Sequence, residues 1–281
     1  MPRHHADGLG IHYELHASSS DASVSTVLLL HGLGSSLRDW SDQVPALTAN
    51  HQLLLIDLRG HGDSDKPTQP YSIRDMANDV ASLINSLKLT GVHAVGLSMG
   101  AQIALQLALD HPDLVATITA VNSPADMKPR RLRDRFTVMQ RKLLVRLLGM
   151  RRLGRIIAER LLPGDEFIDR RRLFADRWSE NDPAAYQAAL DAILSWDITP
   201  ELSRIEQAIL VICASEDYTP RAWKQRIVEL APNARMVIIP DSRHAVPVER
   251  PAAFNAVLLD FLQEQQESSD RSVSRDLHRQ R

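Results

Sequence analysis

Cysteine is nearly absent from this 281-residue chain, and Cys213 is the single one. One thiol cannot form an internal disulfide and leaves no cysteine cluster for a metal, so Cys213 reads as a buried strand residue. Long apolar runs are missing too: no stretch approaches the ~20 residues of a membrane span. No internal repeat is present. The opening residues, Met1-Pro2-Arg3-His4-His5-Ala6-Asp7, lack the basic-then-apolar layout of a secretory signal. The cytoplasm is therefore the expected location, and stable membrane insertion is not expected. Nor is there an excess of one charge. Lys and Arg number 33 against 35 Asp and Glu, a net charge of −2, so the global balance points to no nucleic-acid partner. What is there is ordinary for a globular protein: 44% hydrophobic and 24% charged residues. The length allows one large α/β domain with an insertion, or two modest domains.

The informative stretch is Val92-His93-Ala94-Val95-Gly96-Leu97-Ser98-Met99-Gly100-Ala101-Gln102-Ile103-Ala104. A short apolar run, read as a buried strand, meets Gly96-Leu97-Ser98-Met99-Gly100 and at once becomes a helical pattern with Ile103, Ala104, Leu107 and Ala108 on one face. Ser98 then sits at a strand-to-helix corner. Such a corner strains the serine backbone and is tolerated only where Gly96 and Gly100 clear space. The hydroxyl points outward with a helix N-terminus behind it, whose free N–H groups favour an oxyanion.

The rest of the chain supplies the frame. Ile11 to His16 alternates as an edge strand, and a Ser-rich loop spans 17–25. Thr26–Leu30 is apolar at nearly every residue, as for a strand covered on both faces. It ends in the glycine-bearing loop His31-Gly32-Leu33-Gly34, at the carboxyl end of a central strand where open α/β sheets bind ligands. A helix is expected around Trp40 to Ala49, a strand over Gln52 to Leu58, and a helix from Ser72 with Asp75 in the capping-box position. Val115 to Val121 is a further strand. From Pro124 to about Pro200 the sequence turns amphipathic and arginine-rich, read as an all-helical insertion over the crevice. The sheet resumes at Ala208–Ala214, followed by a helix near Arg221–Leu230, a strand over Arg235–Ile239 and a helix over Pro251–Gln263. The polar tail, 267–281, is expected to be disordered.

His31-Gly32-Leu33-Gly34, Asp57-Leu58-Arg59-Gly60-His61-Gly62-Asp63-Ser64 and Gly96-Leu97-Ser98-Met99-Gly100, in that order, resemble the oxyanion loop, the charged loop and the nucleophile elbow of the alpha/beta-hydrolase fold superfamily, of the serine esterase or lipase-like kind with a helical cap. The resemblance implies a mostly parallel central sheet flanked by helices. The core would be 1–123 and 201–266, and the inserted cap 124–200. It also implies a Ser-His-Asp triad in the chain order nucleophile, acid, histidine: Ser98, Asp217 and His244. His244 follows the last strand, on the same rim as Ser98. Asp217 follows the strand ending at Ala214, with Glu216 adjacent and Asp126 at a place where some relatives carry the acid. The oxyanion hole would be the backbone N–H groups of Leu33 and Met99. His31 would orient its loop and His61 brace a turn. Two departures stand out: Arg243 where relatives have a small residue, and Ala101 where a second glycine often follows the elbow.

The resemblance thus implies acyl transfer without metal or organic cofactor, on a small, partly apolar ester-type substrate. Leu33, Trp40 and Met99 would stand near the pocket entrance. Lactones, thioesters, carbon-carbon bonds beside ketones, transfer to an acceptor other than water, and a non-catalytic ligand receptor stay open. Most cap arginines read as a solvated face, with attraction of anionic ligands or an anionic lipid surface as the sharper alternative.

Overall fold

The computed structural model describes residues 2–20 and 24–279, with backbone alone from 269 onward. Eight strands form one sheet: β1 Arg3–Ala6, β2 Leu9–His16, β3 Thr26–Leu30, β4 Gln52–Ile56, β5 Val92–Leu97, β6 Val115–Val121, β7 Ala208–Ala214 and β8 Ala234–Ile239. Their order is β1-β2-β4-β3-β5-β6-β7-β8. β1 and β2 run antiparallel, as do β2 and β4; every later pairing is parallel.

The apolar run of β3 follows from its central place. Leu28 and Leu30 face one core, packed with Met76, Val80, Ile103 and Leu107. Val27 and Leu29 face the other, with Phe254, Leu258 and Phe261. Successive side chains point to opposite faces, so a strand covered on both sides has no polar positions to offer.

The helices are α1 Val44–Leu47, α2 Ile73–Ser86, α3 Met99–Asp110, α4 Leu132–Leu161, α5 Ile168–Ser179, α6 Pro183–Ser195, α7 Arg221–Leu230, α8 Val246–Glu249 and α9 Pro251–Arg279. The capping box of α2 forms as read: Ser72 Oγ accepts from the Asp75 N–H at 3.2 Å, and Asp75 Oδ2 accepts from the Ser72 N–H at 2.7 Å. The helix expected over Trp40–Ala49 is instead a 3-10 turn, Leu37–Trp40, and the single turn of α1. Pro45 lacks an N–H and cannot continue a helix from the preceding turn. The sequence reading missed β1. Its hairpin to β2 turns on Asp7 (φ 47°) and Gly8 (φ 80°), the left-handed pair an Asp-Gly turn favours. Of the Ser-rich loop, residues 21–23 lie outside the described residues.

Between β6 and β7 the chain leaves the sheet for α4, α5 and α6. Gly149 (φ 71°) interrupts α4 and redirects it. Leu153, Phe174, Trp178 and Tyr186 belong to a third cluster, which also includes Ala245 in the loop after β8. The inserted segment is not packed as one unit. Ala189, Ala192, Ile193 and Trp196 bury themselves in the main core, so α6 is anchored below while α4 and α5 lie above.

α9 continues past Gln263, through the tail expected to be disordered, to Arg279. From Ala252 to Arg279 no glycine or proline interrupts it. Residues 280–281 lie outside the described residues.

Candidate active site

Ser98 lies between β5 and α3 with φ 54° and ψ −111°, a conformation costing on the order of 1–3 kcal/mol for a residue with a side chain. The surroundings impose it. A Cβ on Gly96 would stand 2.2 Å from the backbone of Gly100, and one on Gly100 would stand 2.1 Å from the Leu30 carbonyl. Both glycines are steric requirements of the corner. The Ser98 N–H donates to the Val121 carbonyl at 2.8 Å, tying the corner to the end of β6.

Across the rim, Asp217 follows β7 and His244 follows β8. Asp217 Oδ1 and His244 Nδ1 are 2.7 Å apart. An ionised carboxylate can only accept, so Nδ1–H donates and Nε2 is left as the lone-pair nitrogen. Burial would raise the Asp217 carboxyl, but the hydrogen bond and charge of His244, with Lys224 and Thr219, outweigh it and hold the group at about 2. Asn122 braces this arrangement. Its Nδ2 donates to the His244 carbonyl at 2.9 Å, and its Oδ1 accepts from the Ala214 N–H at 2.8 Å. One side chain at the end of β6 thus fixes the histidine loop to the end of β7.

Two further residues were not found by sequence reading. Lys224, in α7, is fully buried and donates to Asp217 Oδ2 and to the Thr219 carbonyl at 3.0 Å. The second oxygen of the acid therefore meets a cation rather than water. Tyr218 stacks on His244 with ring centroids 4.3 Å apart, and its hydroxyl donates to Nε2 at 3.1 Å. Above it, the Arg160 guanidinium of α4 lies 5.1 Å from the Tyr218 ring centre. Among the described residues Ser98 Oγ makes no hydrogen bond, and Nε2 of His244 is held by the phenol. A lysine one turn into a helix and a tyrosine in a turn carry no sequence signal for either position.

The alternative acids are occupied elsewhere. Glu216 pairs with Arg243 at 2.5 Å, and Asp126 pairs with Arg130 at 2.5 Å. Arg243 is clamped between Glu216 and the buried Glu249 and links the acid loop to the histidine loop.

The loop after β3 lies against the corner, since a Cβ on Gly32 would stand 3.7 Å from Ser98 Cβ. Neither the Leu33 nor the Met99 backbone N–H donates to another group among the described residues. His31 orients the loop as read: Nδ1 donates to the Gly32 carbonyl at 2.8 Å, and Nε2 accepts from the Leu58 N–H at 3.1 Å. Burial lowers its pKa against the pull of Asp57. His61 stacks edge-on at 5.1 Å and bonds the Arg59 carbonyl; burial pushes it down to about 3. The ring of Trp178 covers Gly34, and Asn181 Nδ2 donates to the Gly34 carbonyl at 2.8 Å, so the insertion docks directly on this loop.

Of the residues expected at the pocket entrance, Trp40 is corrected. Its ring is 1% exposed and packs against Phe254 in the core, because the turn Leu37–Trp40 points inward. The Met99 side chain is also buried, in the core on the opposite face of the sheet. Leu33 alone touches both the main core and the upper cluster. His12, Asp57 and Asp63 lie close enough to suggest a metal group. However, Asp57 Oδ1 already accepts from the Leu37 N–H, and Oδ2 from His12 and the Asp63 N–H. The carboxylate braces its loop.

The alpha/beta hydrolase family model matches residues 27–257. The protein named "Putative carbamate hydrolase RutD" of Caulobacter vibrioides (strain NA1000 / CB15N) is 33% identical over 266 residues, 90% of this chain and 96% of that one. The enol-lactonase from Burkholderia xenovorans LB400 superposes with a TM-score of 0.85 at 28% identity, over 93% of this chain and all of the other. Est816, described as an N-acyl homoserine lactone degrading enzyme, has a TM-score of 0.77 at 28% identity, over 92% of this chain and all of its own. With the sheet order, the corner at Ser98 and a family match across most of its length, this chain belongs to the alpha/beta hydrolase family.

Proposed function

We propose that this hydrolase cleaves a carboxylic ester bond, open or closed into a lactone, through Ser98, His244 and Asp217. The observation that carries the reading is the 2.7 Å contact of Asp217 Oδ1 with His244 Nδ1, on the rim where Ser98 is held in its strained corner. His244 Nε2 takes the Ser98 proton as Oγ bonds to the carbonyl carbon, and the phenol of Tyr218 gives up that nitrogen as the step begins. The oxyanion is received by the N–H groups of Leu33 and Met99. Collapse breaks the bond to the alkoxy oxygen, which leaves with the proton from His244 and stays attached when the substrate is a lactone. Water then attacks the acyl-enzyme, gives its proton to His244, and releases the acid while Ser98 regains its hydrogen. Asp217 orients the imidazole and stabilises its cation throughout.

The lactone arm is supported by the two lactone-acting relatives of matching length, and the RutD names add carbamates to the substrates worth testing. The test is a series of short p-nitrophenyl esters, lactones and carbamates in buffer with no acceptor. The wild type is expected to release acid, and Ser98→Ala to lose about 10⁶-fold. An alanine variant that keeps its rate overturns the triad. A folded wild type that binds these compounds without turnover overturns hydrolysis by this site.

A further inference from the structure

The outer face of α4 has no counterpart in the chemistry above. Leu132, Phe136, Met139, Leu143 and Leu147 follow one another at spacings of four, three, four and four, so they form one stripe along the helix. All five are more than half exposed; Leu132 is 83% exposed and Leu147 69%. The packing face is the opposite one. There Val145 is buried and Arg141 donates to the Tyr186 hydroxyl at 2.9 Å. The stripe is therefore left over after the insertion has packed, and solvated helices rarely carry five such residues in line.

Its edges are basic. Arg133 lies along one side of the stripe, and Arg135 and Arg146 along the other. Beyond Gly149 the exposed Arg151, Arg152 and Arg155 continue the charge. Among the described residues none of Arg135, Arg146, Arg151, Arg152 and Arg155 has a carboxylate partner. Residues 128–158 hold eleven Lys or Arg against the single Asp134, a formal +10 in a chain of net −2, so the remainder carries −12. An apolar stripe rimmed by arginines is the layout of a helix that lies in the headgroup plane of an acidic bilayer.

We propose that the outer face of α4 docks this hydrolase on an anionic phospholipid surface, with the Leu132–Leu147 stripe at the acyl boundary and the arginines among the headgroups. Charge complementarity selects this occupant over a second copy of the chain, since a symmetric contact would set one +10 segment against another. The helix lies on the surface rather than crossing it. No helix among the described residues is long and apolar enough to span. The inference stands apart from the triad and survives if Ser98 proves inert.

The test is vesicle flotation of the full chain with phosphatidylglycerol-rich and with pure phosphatidylcholine vesicles, at low and high salt, alongside sedimentation velocity. Binding is expected only to the anionic vesicles and should weaken with salt. It should fall about tenfold or more in Phe136→Gln/Leu143→Gln, and about fivefold for each of Arg135→Gln and Arg146→Gln. These variants should keep the wild-type circular dichroism spectrum, and turnover of a small water-soluble ester should not change. Failure to float with anionic vesicles at low salt overturns the proposal. So does binding that ignores the stripe substitutions, or a self-associated species that those substitutions dissolve.

Discussion

Two helices of the chain, α3 and α4, are treated in opposite ways. In α3, ten of twelve residues are buried; in α4, six of thirty are. α3 is pressed between sheet and α2 and has Ser98 at its N-terminal end, where neighbouring glycines are sterically required. α4 packs against α5 and α6 along one face, and its Arg160 lies over Tyr218. The constrained backbone sits where burial is complete, and the largely exposed helix sits where it is not.

The strongest way to break this contrast is at the buried acid. Replacing both charges together, Asp217→Asn with Lys224→Met, leaves no unpaired ion behind, so the protein should fold while kcat for an ester substrate falls about 10⁴-fold. A fall of less than tenfold would remove Asp217 from the chemistry. Lys224→Met alone strands a buried carboxylate and should cost about 3–5 kcal/mol in denaturant unfolding. Its methionine is apolar and of similar length, so a change under 1 kcal/mol would mean that water already reaches Asp217.

The same carboxyl has a pH signature. Held at about 2 when folded, against an ordinary value near 4 when unfolded, it adds stability that is complete above pH ~4 and lost as the pH falls through 2. The loss on acid titration should be about 2 kcal/mol smaller in the double variant than in the wild type.

Smaller effects sharpen the contrast at its boundary. Tyr218→Phe keeps the ring on His244 and removes the hydrogen bond that occupies Nε2, so kcat/KM for a small ester should rise about threefold. A drop of a hundredfold would instead make the phenol a group that touches the reacting atoms. Least of all, Leu132→Gln on the outer face of α4 should change unfolding stability by no more than about 0.5 kcal/mol. A larger loss would show that the stripe is covered in solution.

The legible parts of the sequence were those decided by neighbours along the chain. The corner at Ser98 needs Gly96 and Gly100 whatever surrounds it, the Ser72 cap needs only Asp75, and the apolar run of β3 announces burial on both faces. Trp40 shows where this stops. Expected at the start of a helix and near the entrance, it is a core residue in a 3-10 turn, because nothing local says which way that segment faces.

Sequence by itself determined most strands and helices of the core and the strained corner at Ser98. Only tertiary structure decided which groups meet: Asp217 with His244, Lys224 on the other oxygen of Asp217, and Tyr218 on Nε2 of His244. It also decided that the apolar stripe of α4 faces outward. Periodicity fixes that a helix has an apolar side, but whether anything covers that side depends on contacts made by residues far away in the chain.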